Sequence, residues 1–364
     1  MSTLIVEVVT IDNIEKHPNA DRLDLATVKG WQCVVQKDVY KVGDKVLYIP
    51  IDSMLPIKVE EKIFGPESKI KLTKSRVKTI KIRGAISQGL VVSLNTVGLN
   101  ENLDVGTDVK DELEIKKYEP SAGKQRGLMG GYKTPKVNNL NFKKYTDIEN
   151  VKNYIKLFKE DEMVEITEKV HGTNFRAGYV KKEFNTIWSK MLRFFGLTSK
   201  YEFVYGSHNV QLQKSIKIKD DSTNVYLEAV KRDRLPEILK PGEVVYGEIY
   251  GSSVQKNYMY DCKEGQRKTV YFDYMKDERY VSPQEARPFF ILNRLPIVPI
   301  IYTGPFNLEV IKAKLKGNSV MVPSQKVIEG GVCRSLKEDS CFMGRKILKF
   351  INDDYLLKDN TEFH

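Results

Sequence analysis

Cysteine and histidine are both scarce in this chain of 364 residues, which contains only four of each. The cysteines are too few and too scattered for a disulfide framework, and no CxxC pair is present to predict a structural zinc site. They are Cys33, Cys262, Cys333 and Cys341. Such sparse cysteine usage is typical of proteins that work in a reducing compartment.

Long apolar runs are missing as well. No segment approaches the roughly 18 consecutive apolar residues that a transmembrane helix requires. The N-terminal segment MSTLIVEVVTID lacks the basic leader and long apolar core of a signal peptide, and the acidic Glu7 interrupts it. With 41% hydrophobic residues, the composition is that of a soluble globular protein. These absences predict a cytoplasmic or otherwise intracellular protein without a membrane partner.

Positive charge is in excess, with 59 basic against 48 acidic residues and a formal net charge of +11. The excess is spread along the chain, which argues against a disordered basic tail. A folded protein with a basic face is predicted, and polyphosphate or nucleic acid is the partner that such a face favours. The alternative is a basic protein whose charge serves solubility alone.

The first part of the chain, residues 1–110, is predicted to be rich in β-strands. Short apolar or alternating runs recur there at residues 4–11, 23–28, 32–35, 45–51, 76–82 and 89–94. Turn sequences such as HPNAD and VGD separate these runs. Five or six strands in about a hundred residues favour a small closed barrel, because closure removes exposed strand edges.

The rest of the chain, residues 111–364, divides into two segments that differ in amino-acid composition. Residues 111–140 are charged and glycine-rich, which indicates a linker, although a long surface loop is the alternative. Residues 141–364 mix strand-like runs with apolar residues at helical spacing, for example at 226–239, 282–295 and 306–317. We therefore expect an α+β domain built on antiparallel sheets.

The segment EITEKVHGTNFRAGY (165–179) is the sharpest local feature. A strand ends at Lys169, and a turn with small residues follows that leaves room for a phosphate. A lysine there can act as a covalent nucleophile if its amine loses its proton. A solvated turn lysine is the alternative.

Other segments favour the nucleophile. VVYGEIYG places Glu248 in a strand between glycines, and KVIEGGVCR places Glu329 at a strand end. GRKILKFIND interleaves Arg345, Lys346 and Lys349 with apolar residues. Carboxylates of this kind can hold a divalent cation or contact ribose, and the lysines can neutralise phosphates.

Taken together, these segments resemble the motifs of covalent nucleotidyltransferases, the polynucleotide ligases and mRNA-capping guanylyltransferases. KVHGTN resembles their nucleotidyl-lysine motif KxxG, YGEIYG the third motif, TVYFDYM the variant that follows it, VIEGGV the fourth and ILKF the fifth. The order agrees as well, since Lys169 precedes Glu248 by 79 residues, Glu329 by 160 and Lys349 by 180. The resemblance covers about residues 140–355.

Three details select a branch. DNA ligases and capping enzymes usually carry arginine five residues after the lysine, where this chain has Asn174. TEKVHGTNFR is similar to RNA-repair ligases with an N-terminal OB domain, often called RNA ligase family 5. IEKHPNADRLDLATVKGWQCVV (14–35) is similar to OB-type tRNA-binding modules, although HPNAD alone can mark a turn that the barrel requires.

The resemblance implies an ATP-dependent RNA ligase that seals 3′-hydroxyl/5′-phosphate breaks, with Mg²⁺ or Mn²⁺ as cofactor. The expected partner is nicked duplex or broken structured RNA, and the expected state is a monomer. Lys169 is then the AMP-bonded nucleophile, and Glu329 and Glu248 hold the metal. The residues expected to bind ATP or AMP are Glu168, Val170, Asn174, Arg176, Glu248, Phe272, Lys346 and Lys349. Tyr271 is an alternative to Phe272 for stacking on adenine.

Nucleic-acid contacts are expected from a basic stripe in RVKTIKIRGAISQGL and from two residues of the second domain. These residues are Arg76, Lys78, Lys81, Arg83, Asn174 and His208. The fifth motif departs from the family, because Ile347 replaces its first lysine, and Lys346 or Arg345 are candidates to compensate. A DNA ligase, a capping guanylyltransferase and a non-catalytic OB-type RNA-binding protein remain the alternatives.

Overall fold

The computed structural model describes residues 3–65, 72–118, 139–183, 191, 194–196, 198–212, 224–255 and 258–357. The chain divides into two units. The first comprises residues 1–120, 148–157 and 351–364, and the second comprises residues 121–147 and 158–350. Most of the predicted linker, residues 119–138, lies outside the described residues, so the predicted boundaries stay a prediction.

The first unit is built mainly from short antiparallel strands. They are β1 (Glu7–Thr10), β2 (Asn13–Lys16), β3 (Leu23–Val28), β4 (Trp31–Gln36), β5 (Lys45–Ile49), β6 (Ser53–Met54), β7 (Thr79–Ile82), β8 (Ala85–Gln88), β9 (Leu90–Val92), β10 (Lys116–Lys117) and β11 (Glu149–Asn150). The short helices are α1 (Ile57–Phe64) and α2 (Leu94–Val97), with 3₁₀ turns at Thr73–Ser75, Val151–Asn153 and Ile155–Leu157. The strands pair as β1-β5-β9, β2-β3-β4, β7-β8 and β10-β6.

Alternation of side chains explains how these strands enclose a core. In β3, every second residue of LDLATV is buried, and its partner β4 buries Trp31, Cys33 and Val35 on the same side. Successive strand residues point to opposite faces, so one face of each strand supplies the interior. The barrel core continues through Val46 and Tyr48 of β5.

The second unit contains two antiparallel sheets with helices. Its strands are β12 (Met163–Glu168), β13 (Thr173–Lys181), β14 (Tyr201–Gly206), β15 (Gln211–Leu212), β16 (Glu243–Gly251), β17 (Arg267–Lys276), β18 (Arg279–Tyr280), β19 (Ile300–Pro305), β20 (Gly330–Ser335), β21 (Ser340–Cys341), β22 (Gly344–Arg345) and β23 (Ile347–Ile351). Its α-helices include α3 (Val225–Arg232), α4 (Leu235–Ile238), α5 (Pro283–Leu292) and α6 (Leu308–Lys314). The last helix of the described chain, α7 (Asp353–Leu356), belongs to the first unit. One sheet has the order β15-β14-β13-β16-β17-β18, and the other contains β23-β20-β12-β19.

The two faces of the six-stranded sheet differ in chemistry. Phe175, Ala177 and Val245 point to one face, where they join the main apolar cluster with residues of α3 and α5. Asn174 and Glu248 are register partners and point to the opposite face. The sheet therefore keeps one face for the apolar core and presents polar side chains on the other.

The predicted helix at 226–239 forms as two helices. Arg234 separates the two helices with a left-handed backbone conformation (φ 51°). The second helix starts at Leu235, and Pro236 is its second residue. Proline fits the first turn of a helix because no intrahelical N–H is needed there.

In the part of the chain that the structure describes, no helix is long and apolar enough to cross a membrane.

Candidate functional site

Lys169 lies in a four-residue turn between β12 and β13, in the second unit. Its backbone N–H donates to the carbonyl of Gly330 (2.9 Å), which fixes the turn to the start of β20. One quarter of its side chain is exposed, and its Nζ donates to Oε1 of Glu329. The predicted nucleophile is therefore accessible and paired with a predicted metal ligand.

Glu329 immediately precedes β20 and is completely buried. Its second oxygen, Oε2, lies 3.4 Å from Nδ1 of His171. Burial opposes ionisation of this carboxyl, but the positive charge of Lys169 and the contact with His171 outweigh burial, so the pKa of Glu329 lies below its ordinary value. An ionised carboxylate is thereby held next to the lysine amine.

Glu248 has the opposite electrostatic character. It lies half-buried in β16, and the N–H of Gly172 donates to its carboxylate. Burial is the main cause that raises the pKa of Glu248 to about 8, with repulsion from Glu329 adding to it and Lys169 opposing it. Two carboxyl groups close to one lysine thus differ in charge near neutral pH.

Gly172 is required by close packing of the turn against β16. A Cβ atom built at this position would lie 2.2 Å from the carbonyl oxygen of Ile249 and 3.0 Å from Cγ of Glu248. Real Cβ atoms do not approach backbone oxygens so closely. The glycine of the KxxG motif therefore lets the nucleophile turn lie directly on the strand that carries Glu248.

Three residues that the sequence analysis missed hold the same turn. The hydroxyl of Tyr260 accepts the backbone N–H of His171 (2.8 Å), and the ring of Tyr258 packs edge-on against the His171 ring (4.8 Å). The side-chain amide of Gln255 donates to the carbonyl of Gly172 (3.0 Å). All three lie in the β16–β17 connection, whose sequence carries no motif beyond its tyrosines.

Glu168 and Val170 flank the lysine and are both buried. The carboxylate of Glu168 accepts the Ser319 hydroxyl (2.6 Å) and the backbone N–H groups of Val320 (2.8 Å) and Met321 (3.2 Å). Glu168 therefore fixes the loop between α6 and β20.

Asn174 and Arg176 follow the turn on β13. Asn174 lies beside Glu248, and among the residues that the structure describes its buried Oδ1 has no hydrogen-bond partner. Arg176 is buried; its guanidinium donates to the carbonyls of Ser207 and Phe142, and burial lowers the pKa of Arg176 to about 10. Asn174 is thus placed with the carboxylates, whereas the Arg176 guanidinium is occupied by backbone.

The two aromatic candidates on β17 face different surroundings. Tyr271 is fully buried in the apolar cluster, and its hydroxyl donates to Asp233 (2.7 Å). Phe272 is half-buried at a register shift of β17 and contacts the ring of Tyr145 (4.9 Å). Of the two rings, that of Phe272 is the more accessible.

The basic residues around the fifth motif are mostly paired with acids. Lys346 donates to Glu162 (2.6 Å), and Arg345 forms ion pairs with Asp273 (2.8 Å) and Glu338. Both candidates to replace the missing lysine are therefore paired with carboxylates. Lys349 lies half-buried in β23, next to β20 in the sheet.

The basic stripe predicted in the first unit separates into two groups. Arg76 is buried, pairs with Asp52 (2.5 Å) and lies over the ring of Tyr118 (3.6 Å). Lys81 and Arg83 are exposed on the β7–β8 hairpin, and Lys78 is half-buried before it. The hairpin residues are thus the ones placed to meet a ligand.

The HPNAD turn braces this hairpin. Nε2 of His17 donates to the carbonyl of Ile82 (2.9 Å), because Nδ1 accepts the backbone N–H of Asn19 (3.1 Å). The side-chain amide of Asn19 donates to the carbonyl of Arg83 (3.2 Å). In this structure, the motif holds the turn that presents Arg83.

His208 lies 3.5 Å from Asp147. Burial lowers the pKa of His208 to about 4, and the charge of Lys144 acts in the same direction. The imidazole is therefore neutral at physiological pH, and contact with a phosphate would be a hydrogen bond without ionic attraction.

The oxygen-donor chemistry of the site fits a hard divalent cation. Glu329, Glu248 and Asn174 offer carboxylate and amide oxygens, the ligands that Mg²⁺ and Mn²⁺ prefer. Within the described ranges, no group of three or more histidine, cysteine, aspartate or glutamate side chains could hold a metal by itself.

The family model of RNA ligases matches residues 162–351, and a model of an OB-fold domain matches residues 5–94. The chain belongs to the RNA ligase family. A search of the curated proteins found no match. The RNA ligase match contains Lys169, Glu248, Glu329 and Lys349, so the resemblance drawn from the motifs is confirmed.

Solved structures of an RNA ligase from Naegleria gruberi are similar to the whole chain. The ligase with pyrophosphate is 24% identical, with a TM-score of 0.74 and coverage of 97% of this chain and 98% of that chain. A lysine-to-methionine mutant with AMP and manganese and a lysine-to-alanine mutant with ATP and manganese are each 23% identical, with TM-scores of 0.75 and the same coverage. The predicted fold, an N-terminal OB domain followed by an α+β domain, is confirmed.

Proposed function

We propose that this RNA ligase seals breaks with a 3′-hydroxyl and a 5′-phosphate, mainly nicks in duplex RNA, through a covalent lysyl-AMP at Lys169. The observation that carries the proposal is the ion pair between Lys169 and the completely buried Glu329, beside the half-buried Glu248. A partly exposed amine that one buried carboxylate holds, with a second carboxyl group nearby, is suited to attack a phosphate whose charge a cation neutralises.

The reaction has three displacements at phosphorus. The Lys169 ammonium leaves Glu329 and gives up a proton to solvent. The neutral amine then attacks the α-phosphate of ATP, a P–N bond forms, and the bond to pyrophosphate breaks. An oxygen of the RNA 5′-phosphate then displaces the lysine and takes the AMP. The RNA 3′-hydroxyl finally displaces AMP and forms the phosphodiester. Each step depends on in-line positioning and charge neutralisation, with little further covalent work for the protein.

The Naegleria gruberi structures contain ATP or AMP with manganese, and we extend both ligands to this chain. Glu329, Glu248 and Asn174 would hold Mg²⁺ or Mn²⁺. The chemistry that the cation supplies when bound is neutralisation of phosphate charge. Glu329 keeps the lysine at the site, and Glu248 meets the ribose or the cation once it loses its proton.

The remaining roles are proposed from the motif resemblance. Phe272 stacks on adenine, with Glu168 and Val170 beside it, and Lys349 and Lys346 neutralise the α-phosphate. Asn174, Arg176 and His208 act at the RNA end of the site. Lys78, Lys81 and Arg83 contact the RNA backbone, with Arg76 supporting them from the interior. The ligase acts as a monomer inside the cell.

A labelling experiment tests the central step. The protein is incubated with manganese and ATP or GTP labelled at the α-phosphate, and the covalent adduct is measured after denaturation. Label from ATP is expected in the wild type and in Lys181→Ala, which removes an exposed lysine paired with Glu278. Lys169→Ala is expected to form no labelled adduct, and full labelling of that variant would refute the proposal.

The alternatives predict different results in the same assay and in a panel of RNA and DNA nicks. Preference for GTP would indicate a capping guanylyltransferase, and sealing of all-DNA nicks alone would indicate a DNA ligase. A folded sample that forms no adduct but binds RNA would indicate a non-catalytic binding protein. Sealing of nicked duplex RNA with ATP is the result that we expect.

A further inference from the structure

Tyr260 is buried beside the nucleophile turn and carries a hydroxyl that the proposed reaction does not use. This hydroxyl accepts the backbone N–H of His171, two residues after Lys169. His171 is itself buried, with only 5% of its surface exposed, so water is poorly placed to replace the bond. The bond therefore fixes the backbone from which the lysine side chain extends.

The position of Tyr260 is fixed by a second loop. The Tyr260 hydroxyl also forms a hydrogen bond with the side chain of Gln325. Next to Tyr260 in the chain, Asp261 accepts a hydrogen bond from the hydroxyl of Ser324 (3.0 Å). The same α6–β20 loop is bound by Glu168 on the other side of the lysine. Two loops distant in sequence thus meet each other and hold the nucleophile turn from both sides.

The backbone at Tyr260 indicates that this placement is specified. Tyr260 and Asp261 are both left-handed, with φ of 48° and 54°. Such a conformation is a genuine outlier for a bulky residue and persists only where its surroundings hold it. The contacts with His171 and Gln325 are surroundings of this kind.

We propose that Tyr260 is a positioning residue for the first step of ligation, which holds the Lys169 turn so that the amine faces the α-phosphate. The inference rests on the proposed function, because it assigns Tyr260 to lysine adenylylation. A displacement of about 1 Å in reacting groups can cost about a hundredfold in rate. Tyr260 acts through the backbone of His171 and touches no reacting atom.

Tyr260→Phe tests this role, because it removes only the hydroxyl. We expect lysine adenylylation to slow by about 10- to 100-fold, while the KM for ATP changes less than about threefold. Sealing of RNA that already carries AMP on its 5′-phosphate should stay at the wild-type rate, because that step needs no attack by Lys169. A loss of folding would lower both activities together.

Tyr179→Phe is the matched control. It removes a tyrosine hydroxyl that donates to the carbonyl of Pro236 (3.1 Å) in the same unit, away from the turn. Its adenylylation rate should equal that of the wild type. If Tyr260→Phe folds poorly, Gln325→Ala takes its place, since it leaves the hydroxyl but removes one contact that orients it; slower adenylylation with unchanged sealing is again expected.

Each outcome has one meaning. Selective slowing of adenylylation supports the positioning role, whereas wild-type adenylylation in Tyr260→Phe overturns it. In a variant that folds as the wild type does, equal slowing of adenylylation and sealing also overturns it, because the hydroxyl would then have no specific role in the first step. A wild type that forms no adduct would instead refute the proposed function, so the two failures are distinguishable.

Discussion

The ammonium group of Lys169 pairs with the carboxylate of Glu329, 160 residues later in the chain, and the carboxylate is completely buried. The pair joins the end of β12 to the start of β20, which are neighbours in one sheet. Lys169 must leave this pair to attack a phosphate, so the pair keeps the side chain at the site and also stabilises the folded protein. Both consequences can be measured separately.

Removing the charge of Lys169 should destabilise the protein in a pH-dependent manner. Lys169→Met leaves Glu329 buried without its cation, and we expect the free energy of unfolding to fall by about 3 kcal/mol near pH 7. Because the pKa of Glu329 is depressed in the wild type, its stabilising contribution is present above its ordinary value of 4.5 and is lost as the pH falls through the lowered pKa. The difference between the two proteins should therefore shrink towards acidic pH in urea denaturation.

Lys181→Met provides the comparison for this measurement. Lys181 pairs with Glu278, and both side chains are well exposed. Exposed pairs contribute about 0–1 kcal/mol, so little change is expected at any pH. An equal loss for Lys169→Met at neutral and acidic pH would contradict the buried-pair interpretation.

Glu248 should have the opposite pH dependence. Its pKa of about 8 in the fold lies above its ordinary value of 4.5, so its contribution to stability is fully present below about 4.5 and is lost as the pH rises through about 8. Glu248→Gln should match the wild type near the acidic end and exceed its melting temperature above about pH 8. Thermal unfolding with a chelator present gives the comparison, and parallel curves for the two proteins would count against a raised pKa.

Gly172→Ala tests how closely the nucleophile turn packs on β16. The added Cβ would meet the Ile249 carbonyl at 2.2 Å, so the turn must move away from the strand that carries Glu248. We expect adenylylation to fall by about a hundredfold, since reacting groups misplaced by about 1 Å lose this much. Gly265→Ala is a suitable comparison, because its Cβ would meet nothing within 4 Å. Its positive φ of 78° adds backbone strain but no clash. Equal adenylylation in wild type and Gly172→Ala would show that the turn can shift without cost.

The motifs identified most of this site because they are short, local patterns with fixed chemistry. Lys169, Glu248 and Glu329 each end or occupy a predicted strand, and antiparallel pairing brings them together. The contact between Tyr260 and His171 could not be predicted, since it depends on the path of a loop that carries no periodic pattern. Family resemblance supplies residue types at motif positions and gives no information on such loops.

Charge patterns were less informative than motifs. Arg76 and Arg83 belong to one basic stripe in the sequence, yet one is buried on Asp52 and the other is exposed. Arg76 lies before β7 and Arg83 in the β7–β8 turn, and their burial depends on which residues pack against each position. A count of positive charges does not contain that information. HPNAD, in contrast, could be read as a turn that the barrel requires, and its contacts with the β7–β8 hairpin agree with that alternative.

The separation of the basic stripe leads to a prediction for RNA binding. Lys81→Ala with Arg83→Ala should weaken affinity for duplex RNA at every sequence and reduce the dependence of log K on log salt by about 1–2, because each phosphate contact releases about one counterion. Arg76→Ala should leave the salt slope unchanged and instead lower the melting temperature, since it takes the Arg76 guanidinium away from both the Asp52 carboxylate and the Tyr118 ring. Binding titrations at several salt concentrations, with melting curves for each variant, separate the two effects. If Arg76→Ala lowered the slope and the hairpin pair did not, the RNA would contact another face of this unit.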